Sequence, residues 1–250
     1  MSESICSILN LCYGTECRDL DFIPGKDVIG RPAWIYILDV EKAPLFIHVK
    51  GRYGNSWYRD VFMGYYVPID ANAMEIQSFY DSLGAEYNKK CEYMSDVYEA
   101  LSRIIQELNL SKKIDILDFM GGAGGLSYLL YYLGYSNIDL IDNSNKLIEI
   151  SQKRPINIHY IKANCLDYTF DKKYDLIVCS LGLHHLSVDS KLKVLKKIKN
   201  NLKEDGVFIS LENDIFVPYN LFFTNLQFQN VTIDSLQYGE IHYIATVCRL

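Results

Sequence analysis

The 250-residue chain is 49% hydrophobic and 22% charged with a formal net charge of −6. This composition excludes a disordered or collagen-like polymer and argues against nucleic acid as partner, since a phosphate-tracking surface needs a basic face. Its length suits one main α/β core with a smaller appendage. Asp, Lys or Asn interrupts every hydrophobic segment, so none is long enough to span a bilayer, and no membrane association is expected.

The opening MSESICSILNLCYGTECRDLD lacks the basic start and unbroken apolar run of a secretion signal, which predicts a cytoplasmic location. Within residues 1–75, RPAWIYILDV, LFIHVK and WYRDVFMGYYV are rich in β-branched and aromatic residues and are separated by EKAP and GRYGNS. They predict a small antiparallel sheet, a β-rich N-terminal extension. It could serve as a lid, a stabilising appendage or the contact of a homodimer. The neighbouring Tyr53, Trp57, Tyr58, Tyr65 and Tyr66 offer an aromatic surface, with core packing as the plainer use. The seven cysteines, at 6, 12, 17, 91, 165, 179 and 248, lack the paired spacing of a zinc site, so reduced thiols and no metal are expected.

Residues 76–250 alternate strand-like apolar runs with segments of helical period, the pattern of a doubly wound parallel sheet. The first strand is IDILDF at 114–119, followed by a helix with Leu126, Leu129, Leu130 and Leu133 on one face and Gly134 as its stop. The second, NIDLID, ends at Asp142. A helix capped near Asn143 or Ser144 follows and runs until Pro155 forbids continuation. A third strand lies within INIHYIKA, and the nearly continuous apolar run YDLIVCS is a fourth, buried on both faces. The next helix places Leu192, Leu195, Ile198 and Leu202 on one side. Lys191, Lys193, Lys196, Lys197, Lys199 and Lys203 spread around the rest, which reads as a solvated face. VFISLE follows Gly206, and QNVTID and HYIATVC form a terminal hairpin about Gly239. The fold expected is a Rossmann-like, doubly wound, seven-stranded sheet with a C-terminal antiparallel hairpin.

Function concentrates in ILDFMGGAGGLSYLL, where an acidic residue closes a buried strand and a glycine-rich turn opens a helix. A turn that lays its backbone on a ligand cannot carry Cβ atoms at the closest points, and Gly121, Gly122 and Gly124 suit that role. Asp142 ends the next strand, near the spacing of about 20 residues at which a carboxylate grips the ribose hydroxyls of a bound adenosine. A solvated turn aspartate is the bland alternative.

From about residue 77 onward the chain resembles the class I S-adenosylmethionine-dependent methyltransferases, in particular those acting on small molecules. LDFMGGAGG resembles the family's LDxGxGxG segment and LIDNS its acidic ribose motif. IKANCLDYTF resembles the adenine-binding strand end and YDLIVCSLGLHHL the fourth-strand motif. FYDSLGAEYNKK resembles the helix that leads into the domain and covers the cofactor with its tyrosines. The resemblance implies S-adenosyl-L-methionine held by Tyr80, Tyr87, Asp118, Met120, Gly121, Gly122, Gly124, Asp142, Asn143, Asn164, Cys165 and Ser180. Met120 departs from the pattern by standing where the first glycine usually is, and a slightly altered turn is expected there. Asn164 replaces the usual aspartate toward the adenine amino group, and its amide oxygen can still accept. The Cys165 backbone N–H would face adenine N1.

Methyl transfer from a sulfonium needs mainly alignment and exclusion of water. A hydroxyl or ammonium acceptor also needs a base, for which His184 and His185 stand just beyond the fourth strand; packing or orienting the substrate is their alternative use. The acceptor implied is an O or N atom of a small molecule or peptide-derived natural product. It would meet residues 1–75 and NDIFVPYNLFFTN. Two rivals remain: an NAD-dependent oxidoreductase, whose fingerprint Ser127 breaks, and a non-catalytic S-adenosylmethionine-binding module. A nucleic-acid methyltransferase would carry an Asn/Asp-Pro-Pro-aromatic motif where this chain reads CSLGLHH.

Overall fold

The computed structural model describes residues 94–186, 188–213, 228, 230–238 and 241–250, isolated positions between 74 and 81, and five N-terminal strand segments. Those segments are β1 (Asp19–Asp27), β2 (Pro32–Val40), β3 (Ala43–Gly51), β4 (Tyr58–Phe62) and β5 (Tyr65–Pro68), hydrogen-bonded in the order β3-β2-β1-β5-β4. Pairing is antiparallel except for β1 with β5, which run parallel. Most of FYDSLGAEYNKK, including Tyr87, most of NDIFVPYNLFFTN, and Cys6, Cys12, Cys17 and Cys91 lie outside the described residues.

The remaining elements, in chain order, are α1 (Met94–Glu107), β6 (Asp115–Phe119), α2 (Gly125–Tyr132), β7 (Asn137–Asp142), α3 (Asn145–Gln152), β8 (His159–Lys162), β9 (Tyr174–Ser180), a 3-10 turn (Leu183–His185), α4 (Val188–Asn200), β10 (Leu202–Asn213), β11 (Asn230–Tyr238) and β12 (Ile241–Arg249). The strands form one mixed sheet in the order β11-β12-β10-β9-β6-β7-β8. The pairs among β6 to β10 are parallel, and β12 is antiparallel to both its neighbours. The chain winds outward from β6 through β7 to β8, then returns to the other side of β6 for β9. Order therefore reverses between β6 and β9, the place where open α/β sheets hold ligands at their carboxyl ends.

Side chains alternate between the two faces with the strand period of two. Ile116, Leu176 and Val178 pack with Val97, Leu101 and Ile105 of α1 and Leu126 and Leu130 of α2. Leu117, Ile177 and Cys179 pack on the other face with Val194, Leu195 and Ile198 of α4. The helix after β9 ends at Asn200, so Leu202, expected on its apolar face, instead begins β10 opposite Tyr174. Gly134 stops α2 as expected. At φ 93° it lets its own N–H reach Tyr131 O and the Tyr135 N–H reach Leu130 O, closing the helix's last carbonyls. Among the described residues no helix is long and apolar enough to cross a membrane.

At the edge of the sheet opposite the strands' carboxyl ends, charges pin the parallel strands together. Lys203 Nζ donates to Asp115 Oδ2 at 2.6 Å and Asp175 Oδ2 at 2.8 Å, which holds the Asp115 carboxyl below its ordinary range. Buried Asp139 accepts the Tyr174 hydroxyl at 2.7 Å and pairs with Lys172 Nζ at 2.9 Å. Removing that carboxylate takes the acceptor from the buried Tyr174 hydroxyl, so Asp139→Ala is expected to cost roughly 2 kcal/mol. Urea unfolding of the variant measures it, and a loss below about 0.5 kcal/mol would contradict this account of the strand edge.

Candidate functional site

β6 ends on Asp118 and Phe119, and the chain turns through residues 120–124 into α2. Left-handed backbone falls at Met120 (φ 60°), Gly122 (54°) and Gly124 (70°). Met120 thus occupies as an L-residue the conformation that favours glycine, at a cost of roughly 1–2 kcal/mol; the turn is the glycine turn with strain added. Gly121 serves a different purpose from positive φ, because a Cβ there would lie 2.7 Å from Asp118 Cγ. Its bareness lets the Asp118 carboxylate fold beneath the turn, where Ser127 Oγ donates to Oδ2 at 2.6 Å.

Asp118 is 1% exposed. Burial pushes its carboxyl up to about 6; the Ser127 hydrogen bonds oppose the shift and the nearby Asp142 charge adds to it. Asp142 ends β7. Its Oδ2 accepts the Gly122 N–H at 2.9 Å and its Oδ1 the Ser144 N–H at 2.8 Å. Burial raises its carboxyl, and the hydrogen bonds from the backbone of Ser144, Gly122 and Asn143 hold it back. Ser144 is the cap of α3, accepting the Leu147 N–H at 3.2 Å and donating to Asp81 Oδ1 at 2.5 Å.

Beyond β8, Asn164 organises a tight turn. Its Oδ1 accepts the Leu166 N–H at 2.9 Å, and its carbonyl accepts from Asp167 and Tyr168 at 3.0 and 2.8 Å. Cys165 beside it is buried, which pushes its thiol up to about 12. Beyond β9, Leu181 has φ 54°, and the 3-10 turn is anchored by the Leu183 N–H donating at 2.8 Å to Oε1 of Glu212, itself 1% exposed. His185, 6% exposed, brings Nε2 to 2.5 Å from the Tyr80 hydroxyl, with the two rings edge to face.

One pocket collects these ends. Tyr80, Asp118, Met120, Gly121, Gly122, Asp142, Asn143, Asn164, Cys165, Ser180 and His185 all line it. Gly124 does not; it packs behind the turn, where a Cβ would strike Ser151 Oγ. The His184 side chain and Tyr87 lie outside the described residues. Sequence reasoning missed Gln77, Tyr98, Leu147 and Gly182 as lining residues, and Asp81, Ser127 and Glu212 as supports. Ser127 alone left a signal, as the polar residue that breaks the dinucleotide fingerprint. No group of three or more His, Cys, Asp or Glu among the described residues could hold a metal ion.

A parallel sheet with a glycine turn, an acidic residue at the next strand end and a pocket at the point of order reversal defines a nucleotide-binding α/β domain. Comparison with known proteins narrows the class. Residues 116–206 match the family model described as "Methyltransferase domain". An uncharacterised methyltransferase of Staphylococcus carnosus (strain TM300) is 26% identical over 175 residues, which cover 64% of this chain and 81% of that protein. Among solved structures, a DhpI-SAH complex superposes with a TM-score of 0.58 at 16% identity, covering 69% of this chain and 94% of that one. The plantazolicin methyltransferase BpumL in complex with SAH gives 0.53 at 14% identity, over 72% of this chain and 91% of that one. The family match, the methyltransferase relative and the SAH-bound neighbours of the same fold agree on a methyltransferase domain that spans residues 116–206.

The raised Asp118 carboxyl makes a pH prediction. With a folded value of about 6 against an ordinary 3.8, the native state binds more protons than the unfolded one between those values, so stability falls as pH rises through that window. The penalty is complete above about 6. Asp118→Asn, which keeps an acceptor for Ser127, is therefore expected to be more stable than the parent at pH 8 by on the order of 2 kcal/mol, with the gain fading toward pH 4. Denaturation midpoints across that range test it; a gain independent of pH would contradict the burial argument.

Proposed function

We propose that this chain binds S-adenosylmethionine in the pocket between β6, β7 and β9 and transfers its methyl group to an O or N atom of a small molecule or peptide-derived natural product. The observation that carries the reading is Asp142. Its half-buried carboxylate is fixed by one N–H from the glycine turn and one from the start of α3, and each oxygen keeps lone-pair capacity for the ribose hydroxyls of an adenosine.

The rest of the donor set fits the same group. The Cβ-free Gly121 and Gly122 leave room for close backbone approach, and Asn164 and Cys165 supply the nucleobase wall. Ser180 Oγ is buried with no hydrogen-bond partner among the described residues, which suits a hydroxyl awaiting a polar ligand atom. Asp118 would answer the ligand's ammonium end. When bound there, S-adenosylmethionine supplies a methyl group already activated on a sulfonium. Met120, Leu147, Leu166 and Leu186 give the pocket an apolar wall that excludes water and strengthens charge interactions inside it. His185, joined through Nε2 to the Tyr80 hydroxyl, would hold the proton released by a hydroxyl or ammonium acceptor. His184 and Tyr87 complete the proposed set from the resemblance alone.

On this reading residues 76–250 form the methyltransferase domain with a seven-stranded sheet and terminal hairpin, and residues 1–75 a β-rich extension that borders the acceptor or joins two copies. The plantazolicin methyltransferase shares the fold, which supports a small or peptide-derived acceptor; the net charge of −6 speaks against nucleic acid as partner, and the reading takes the protein as a cytoplasmic enzyme with no membrane partner.

Calorimetry tests the placement. Purified protein is expected to bind S-adenosylhomocysteine and not NAD, and Asp142→Ala to weaken the former by at least about tenfold by removing a charge-assisted double hydrogen bond. NAD binding without S-adenosylhomocysteine binding would return the NAD-dependent oxidoreductase to first place. Label transfer from methyl-labelled donor separates an enzyme from a non-catalytic binding module.

A further inference from the structure

Among the lysines of α4, Lys197 behaves differently from a solvated surface charge. It is half-buried, and its Nζ donates to the main-chain carbonyl of Leu166 and, at 3.2 Å, to that of Tyr168. Those carbonyls belong to the turn that begins at Asn164, three residues of which, Asn164, Cys165 and Leu166, line the pocket. Asn164 holds the turn from within through its side-chain and main-chain oxygens. Lys197 holds it from the outside, across 31 residues of sequence.

We infer that Lys197 is a positioning residue for the nucleobase: by clamping the carbonyls of Leu166 and Tyr168 it fixes the turn whose Asn164 and Cys165 read the adenine edge, without touching the ligand itself. The inference rests on the adenosine placement proposed above. The physics is geometric. Asn164 Oδ1 already accepts one N–H, so reading the amino group falls to its remaining lone pair, and the Cys165 N–H has one direction in which to donate. Hydrogen bonds weaken steeply as they leave linearity, so a turn free to rock would lose the discrimination before it lost the pocket. An ammonium donating to two carbonyls holds the peptide planes more tightly than neutral donors would, and its partial burial keeps it from being screened away by salt.

The test uses the full chain and two probes in calorimetry, S-adenosylhomocysteine and its hypoxanthine analogue S-inosylhomocysteine, whose six-position carbonyl cannot donate to Asn164. The parent is expected to prefer the adenine form. K197M is expected to weaken S-adenosylhomocysteine roughly tenfold and to narrow the preference between the probes. K197R, which restores a cationic donor, should recover most of both. Equal affinity and an unchanged preference in K197M overturn the inference. So does a uniform weakening of both probes, which is what a merely structural lysine would give. Should K197M fail to fold, K197Q replaces it; as a shorter, neutral donor it is expected to fall between parent and methionine variant, and parent-like values for it overturn the inference as well. A parent that binds neither probe removes the adenosine placement and this inference together, an outcome distinct from the other three.

Discussion

The site depends on one half-buried carboxylate. Charge taken out of water must be met by hydrogen bonds or given up, and Asp142 is met by the N–H groups of Gly122 and Ser144. Its main-chain carbonyl also accepts the Ala163 N–H at 3.1 Å, at the end of β8. A single residue therefore ties the glycine turn, the start of α3 and the chain leading into the Asn164 turn. The first two cannot shift without breaking a charge-assisted bond and the third without breaking a main-chain one, and the carboxylate oxygens that hold the first two are those that would grip the ribose.

That economy has an electrostatic cost. Asp118 is buried and Asp142 half-buried at the carboxyl ends of adjacent strands, loss of solvent raises each, and Asp142 raises Asp118 further. The floor of the pocket is thus a concentrated negative region that a cation would relieve. S-adenosylmethionine carries positive charge at its sulfonium and at its amino group, whereas NAD brings the negative charge of a pyrophosphate. The pair of acids favours the first ligand over the second for a reason independent of any motif. Ser127 agrees: where the dinucleotide fingerprint wants a small apolar residue for helix–strand packing, this chain spends the position on a hydroxyl that steadies Asp118.

Much of this was legible in the sequence because it is local. Period-two and helical patterns located the parallel strands and α2 to α4, strand ends placed Asp118, Asp142 and Ser180, and Gly134 and Ser144 punctuated helices as their chemistry demands. The failures are of two kinds. Leu202 continued a helical spacing by chance, while pairing with β9 at Tyr174 drew it into β10. The others, Asp81 on Ser144, Glu212 beneath the Leu183 N–H and Lys197 on Leu166, join residues 29 to 63 positions apart. No periodicity announces such pairs; a lysine turned inward has the same letter as its solvated neighbours. Met120 was legible as an oddity, and the structure supplies its meaning: the backbone keeps the glycine conformation although the glycine is gone.

Cys165 lines the pocket with its thiol held near 12 by burial. A thiolate is a strong nucleophile toward an activated methyl group, and only the deprotonated form attacks. At neutral pH the buried sulfur is held in its thiol form, far more completely than a free cysteine would be. On the proposed reading, a pocket that receives a reactive alkyl donor keeps its own lining sulfur in the unreactive form, and the packing around Cys165 doubles as chemical insulation.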